Sequence, residues 1–465
     1  MNNQSFVGLW WLPASPDVRL HGTLSFNPAE GNSLTLTGAF HDLRHFFAST
    51  QDQIILGESV DGKAVTLFRS LPTHFTSPSG GIPTTGYRAT FALIGHHFQD
   101  PDSIAFHQYR VRYSFLEQWA AQGVYQLGHE DAEADRPERH IISYTPPADV
   151  ACEVAGFVIT LTSQVSIAGG WATQPSITHR NIFKIRSEKP LSLLDFLHST
   201  NVLLQNFLAL AIGRATRPIE IIGRRDDILD QIDNDHFEQR DITILQKVAN
   251  LPSEESTILP NQMLFTFSEI AAQFENTLRQ WFSREAILRP VYNLYFATVN
   301  SNALYAEDEF LSLIYAVETY HRRTRQGKYL AEPAIDEVRQ ALTNAIPPSV
   351  PDDLRTSLIQ KLKYINEFSL RRRIKEVLNL LPNVFSIFIE DFDAFIDVIV
   401  NTRNYFTHHD ATLETRSLKG KELYAATHKL DAIVQICFLL ELGFSEESMT
   451  KIVQNRQPFS GLRGR

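Results

Sequence analysis

The chain has 465 residues, 43% hydrophobic and 21% charged, which is room for two or three packed domains and is the composition of a folded globular protein rather than a disordered one. Its formal net charge is −10, so it is a poor passive polyanion binder, and any contact with nucleic acid has to be local. Two cysteines, Cys152 and Cys437, exclude a disulfide framework and supply no zinc-type spacing. The N-terminus lacks a basic region followed by an apolar run, and the longest apolar stretch, residues 202–212, is too short to span a bilayer; a cytoplasmic protein with no membrane contact is expected.

In chain order, residues 1–180 read as a β-rich domain. Alternation marks strands over residues 19–26, 33–37, 64–68 and 109–115, and Asp61-Gly62 is a hairpin signal. Frequent turns between short strands suggest an antiparallel β-sandwich-like domain, in which Trp10, Trp11, Phe46 and Phe47 are strand-packing core rather than an aromatic binding face. Residues 181–300 are a mixed connector region, with a helix expected to start at Pro190 and run to residue 212, a strand at 218–222 and a helix at 268–282.

From about residue 301 to 465 the period becomes helical. Phe310, Leu313, Ile314 and Val317 form one stripe, Leu423, Leu430, Val434 and Cys437 another. A third, Phe385, Phe388, Ile389, Phe392, Ile396 and Ile399, is read as one helix starting at Phe385. A helical bundle follows, so the fold class is α+β multidomain.

The third stripe, continued by four residues, lands on Arg403, and Asn404, Thr407, His408, His409 and Asp410 follow at once. An arginine on a core-facing stripe is costly unless it meets an anion or an acceptor network. At about 100° per residue, Arg403 and His408 point roughly 140° apart on a regular helix. Either the helix is distorted there, or a second copy completes the site, which predicts a homodimer. Histidine can move a proton to or from a ribose 2′-hydroxyl or a leaving oxygen, arginine can hold the scissile phosphate, and Asn404 can orient either. That set suits metal-independent cleavage of RNA, since DNA lacks the attacking hydroxyl.

Arg403-Asn404-x-x-x-His408, at the end of a phenylalanine-rich helix, resembles the RX4–6H motif of HEPN domains (higher eukaryotes and prokaryotes nucleotide-binding), and residues 310–323 resemble an earlier helix of such bundles. Gly8-Leu-Trp-Trp-Leu-Pro13, Gly22-Thr-Leu-Ser-Phe26, Leu34-Thr-Leu-Thr-Gly38 and residues 55–67 resemble the N-terminal domain of the ApeA family of bacterial anti-phage, abortive-infection HEPN proteins. The resemblance implies a homodimeric endoribonuclease, held silent until a phage-derived trigger, that cleaves tRNA or another cellular RNA. It assigns the catalytic roles to Arg403, Asn404 and His408. Some HEPN toxins carry a modifiable tyrosine two residues after the histidine; here Asp410 stands there, which argues against regulation by that route.

Glu318, His321, Arg322 and His409 are supporting candidates. Glu318 is equally well read as orienting the catalytic pair or as an i, i+4 partner of Arg322. Arg371, Arg372 and Arg373 are a basic run at a helix start, read as a solvated face with a binding role as the sharper alternative. Adjacent His408, His409 and Asp410 do not converge on one ion, so no metal and no cofactor are expected. The rival reading of the whole chain is a non-catalytic binding module, a carbohydrate- or protein-binding sandwich with a dimerising helical bundle.

Overall fold

The computed structural model describes residues 2–41, 53–79, 81–130, 138–169, 175–233, 235–248, 257–301 and 304–462. It divides into two compact units, Met1–Phe282 and Ser283–Arg465. As expected for an α+β chain, β-rich structure comes first and a helical bundle second.

Six strands of the first unit close on themselves: β1 (Gln4–Leu12), β2 (Ser15–Asn27), β3 (Gly31–Thr37), β4 (Ile55–Ser59), β5 (Ala64–Thr76) and β6 (Thr84–Ile94). The order β6-β3-β2-β1-β4-β5 is closed by antiparallel β5–β6 pairing, from Val65 opposite Ile94 to Thr76 opposite Thr84. Closure removes the unpaired edges of an open sheet. The alternation seen in sequence is the in–out alternation of this barrel, and Phe6, Trp10, Leu24, Phe26, Leu34, Leu36 and Leu67 fill it. Gly57 is required by that core: a Cβ there would meet the Trp10 indole at 2.3 Å. Trp10 and Trp11 are both buried, as strand-packing residues; Phe46 and Phe47 lie outside the described residues. The Asp61-Gly62 turn joins β4 to β5, with Gly62 at φ 77°.

The sheet then continues away from β6. Strands β7 (Ala105–Tyr113), β8 (Tyr125–Glu130), β9 (Arg139–Tyr144), β10 (Val150–Val154), β11 (Phe157–Ala168), β12 (Ser176–Ser192), β13 (Pro218–Arg224), β14 (Leu229–Gln231), β15 (Phe237–Gln239) and β16 (Ile242–Gln246) follow in sequence. The order outward from β6 is β16-β13-β7-β12-β11-β10, while β8–β9 and β14–β15 form separate hairpins. Sequence placed Pro190 at a helix start, but β12 runs through it to Ser192. Its pairing with β7 breaks register between Arg186 and Leu191, so the missing N–H of Pro190 falls where no ladder bond is needed. Helix α1 (Val202–Ile212) follows after a wider π-type turn, Leu197–Asn201, and ends at Gly213 in the left-handed region.

Helix α2 (Phe274–Asn300) contains the division between the units. The second unit comprises α3 (Ala306–Thr324), α4 (Glu332–Asn344), α5 (Asp352–Leu362), α6 (Leu370–Leu378), α7 (Pro382–Phe385), α8 (Phe392–His408), α9 (Gly420–Glu441) and α10 (Glu446–Asn455). The stripes Phe310, Leu313, Ile314, Val317 on α3 and Leu423, Leu430, Val434, Cys437 on α9 are buried, and these two helices pack together. Helix α9 is long and apolar enough to cross a membrane, but 67% of its most apolar window lies inside the bundle, as in a core helix.

One helix expected from Phe385 is two. Pro382 opens the short α7, and Asp391 restarts the chain as the N-cap of α8, its carboxylate accepting from the Ala394 N–H at 3.0 Å. Phe388 and Ile389 are buried in the turn between them, which is why their spacing imitates a continuous stripe.

Candidate active site

Helix α8 packs on α3 and α6 through Phe395, Ile396, Ile399 and Val400. The α3 contact near its C-terminal end is aromatic, with the Phe406 ring edge-on to fully buried Phe310 at 6.0 Å. Buried Thr402 donates to the Val398 carbonyl and accepts from the Leu418 N–H, which ties the following chain back to the helix.

On this anchored frame Arg403 is half-buried. Its guanidinium lies over the Tyr315 ring of α3, 5.6 Å from the centroid, and its Nη1 donates to Asn404 Oδ1 at 3.1 Å. Its Nε is buried without a hydrogen-bond partner. Among the described residues no carboxylate lies within ion-pair distance of it. A desolvated, unpaired N–H on a cation costs about 1–3 kcal/mol and is the donor an anion satisfies.

The helix remains regular to its end. Thr407 Oγ1 donates to the Arg403 carbonyl at 2.8 Å, and His409, at φ 49°, terminates the helix with its N–H on the Tyr405 carbonyl at 2.7 Å. His408 is the last helical residue and is exposed, as is His409, whose ring packs 6.1 Å from Tyr405. With no distortion between them, Arg403 and His408 keep their roughly 140° offset. Asn404 stands about 100° from Arg403 and about 40° from His408, so it sits angularly between them and is bonded to the first. Asp410 accepts from the Thr412 N–H and hydroxyl, bonds that hold its carboxyl below the ordinary range.

The supporting candidates gather elsewhere. Glu318 pairs with Arg322 at 3.0 Å, and Arg322 also donates to Glu367 at 2.6 Å. Glu318 and Arg322 follow Tyr315 by three and seven residues, so they continue the α3 face on which Arg403 rests. His321 is fully buried: Arg373 Nη1 donates to its Nδ1 at 3.1 Å, and its Nε2 reaches Glu376 at 2.8 Å. An arginine donor on Nδ1 and a carboxylate acceptor at Nε2 assign the neutral Nε2–H tautomer. Burial holds this imidazole below the ordinary histidine range, which agrees. His321 therefore braces α3 against α6 and has no route to solvent.

Every arginine of the 371–373 run is committed to protein. Arg371 pairs with Asp397, Arg372 with Glu376 at 3.0 Å, and buried Arg373 with Glu367 and the Phe368 carbonyl. The run is thus a structural clamp rather than a free basic face. Tyr315, the floor beneath Arg403, is the residue the sequence did not flag; its only signal is its place three residues before Glu318 on α3. The arrangement can bind an anion at Arg403 and transfer protons at His408.

Residues 5–281 match the family model described as ApeA N-terminal domain 1, and residues 311–448 match the one described as Apea-like HEPN. The second match contains Tyr315, Arg403, Asn404 and His408. No curated protein and no solved structure matches the chain.

Proposed function

This chain belongs to the ApeA family of anti-phage HEPN nucleases, and on that premise we propose that it is an endoribonuclease acting through Arg403, Asn404 and His408 of a homodimer. The observation that carries this reading is the uncompensated Arg403, in a bundle where Arg322, Arg371, Arg372 and Arg373 each hold a carboxylate. A scissile phosphate supplies the missing anion. A regular helix that turns His408 away from Arg403 is supported as half of a site that a second copy completes.

The chemistry uses the RNA's own 2′-hydroxyl. An imidazole takes its proton, the oxygen attacks phosphorus, and the 5′-oxygen leaves with a proton, giving a 2′,3′-cyclic phosphate. Arg403 holds the phosphoryl oxygens as charge builds, and Asn404 fixes the guanidinium. Neither task calls for a metal. The N-terminal unit senses or transmits a phage-derived trigger in the cytoplasm, and cleavage of cellular RNA, tRNA included, arrests the infected cell. His409, Glu318, His321 and Arg322 support the site by holding α8 and α3 in place.

The test is purified protein, activated by co-expression with phage, on RNA and on the same strand with 2′-deoxy sugars. Cleavage of RNA alone, persisting in EDTA and lost in Arg403→Ala and His408→Ala, is expected. Folded variants that restrict phage as well as the parent would overturn it.

A further inference from the structure

The β8–β9 hairpin of the first unit carries a second cluster of chemistry-bearing side chains. His129 lies directly opposite His140 in the antiparallel register. Directly opposed residues project from the same face, and the two imidazole centroids are 4.9 Å apart with the rings inclined by 33°. Glu138, two residues before His140, shares that face; its Oε1 is 3.2 Å from His140 Nε2 and 3.9 Å from His129 Nδ1. One ligand atom from each of the three residues falls within 4.8 Å of the others, and all three side chains are exposed.

We propose that His129, Glu138 and His140 form a binding site for a divalent transition-metal ion of the zinc class. Zinc bonds nitrogen and carboxylate oxygen at about 2.0–2.2 Å, which sets tetrahedral donors about 3.3 Å apart. The observed separations, 3.2 Å and 3.9 Å from Glu138 Oε1 to the two imidazoles, lie close to that spacing. Two imidazoles with one carboxylate are a borderline-soft donor set, suited to zinc, cobalt, nickel or copper and unsuited to magnesium or calcium. Among the described residues three side chains supply ligand atoms.

The fold gives such a site a purpose. Strands β8 and β9 lie outside the large sheet, and β8 is exposed along its whole length. Their other end is held to β12 by Tyr125, which donates to the Ile177 carbonyl at 2.9 Å, and by Tyr144 at 3.1 Å from His179 Nδ1. An isolated two-stranded hairpin is marginal in water. An ion bridging His129 on β8 to His140 on β9 and to Glu138 just before it cross-links the far end of the hairpin.

The experiment is calorimetric titration of the purified full-length protein, stripped by chelator and dialysis, with zinc chloride. One saturable equivalent is expected in the parent, lost in His129→Ala/His140→Ala and weakened about tenfold or more in Glu138→Gln. Cobalt(II) in place of zinc gives a second readout, a tetrahedral visible absorption present in the parent and absent in the double variant. Magnesium chloride gives no saturable heat. A parent that binds no zinc saturably, or a folded double variant that binds it with unchanged stoichiometry and affinity, overturns the proposal.

Discussion

The second unit holds two polar constellations built from the same residue types but in opposite states. Around His321, three arginines hold carboxylates: Arg322 with Glu318 and Glu367, Arg373 with Glu367, and Arg372 with Glu376, which also bonds His321. At the end of α8, Arg403 has an aromatic floor and one neutral amide, and His408 faces solvent. The first is closed and stabilises the packing of α3 on α6. The second leaves donor capacity unused, which costs stability and is kept where a ligand completes it. Residue identity and spacing alone did not separate the two; the partners of each group do.

Breaking the open constellation is expected to have the largest effect on function and little on folding. Arg403→Ala and His408→Ala should each lower the rate of RNA cleavage about 10²–10⁴-fold. Exposed His408→Ala should leave the unfolding free energy within about 0.5 kcal/mol of the parent. Breaking the closed constellation reverses the pattern. Arg373→Ala leaves buried His321 Nδ1 and the Phe368 carbonyl without their donor and should cost about 1–3 kcal/mol in denaturant unfolding. Equal stability of Arg373→Ala and the parent would show that the His321 cluster does not stabilise the packing of α3 on α6. Asn404→Ala should be intermediate, slowing cleavage about tenfold to a hundredfold through loss of one bond to a charged donor.

A pH experiment sharpens the comparison. The folded-state pKa of His321 is lowered by burial, so its contribution to stability is present above the unfolded value near 6.5 and is lost as pH falls below it. In His321→Gln the amide keeps a donor and an acceptor but does not titrate. The stability advantage of the parent over this variant should therefore shrink between pH 7 and pH 5, measured by urea unfolding. A gap that widens on acidification contradicts the neutral, buried assignment. The smallest effect is expected at Glu318→Gln, an i, i+4 partner of partly exposed Arg322, at about 0.2–1 kcal/mol.

How much was legible in the sequence follows from the range of the forces involved. Local signals were reliable: the Asp61-Gly62 hairpin and the α3 and α9 stripes depend on neighbours in the chain. Pro190 misled because a register break with β7, contributed by distant residues, makes room for it in a strand. The stripe through Phe388 and Ile389 misled because a buried turn shows the same apolar spacing as a helix. Barrel closure between β5 and β6, the Tyr315 floor and the His129–His140 register are non-local pairings that periodicity does not encode.

Mixed dimers test whether Arg403 of one copy works with His408 of another. Arg403→Ala and His408→Ala chains, each silent alone, are co-expressed with different tags, and the doubly tagged dimer is isolated and assayed on RNA. If the site is shared between copies, one intact Arg403–His408 combination is regenerated and activity returns, up to about half that of the parent. A pure mixed dimer as silent as either variant alone would contradict the account and place the whole site within a single chain.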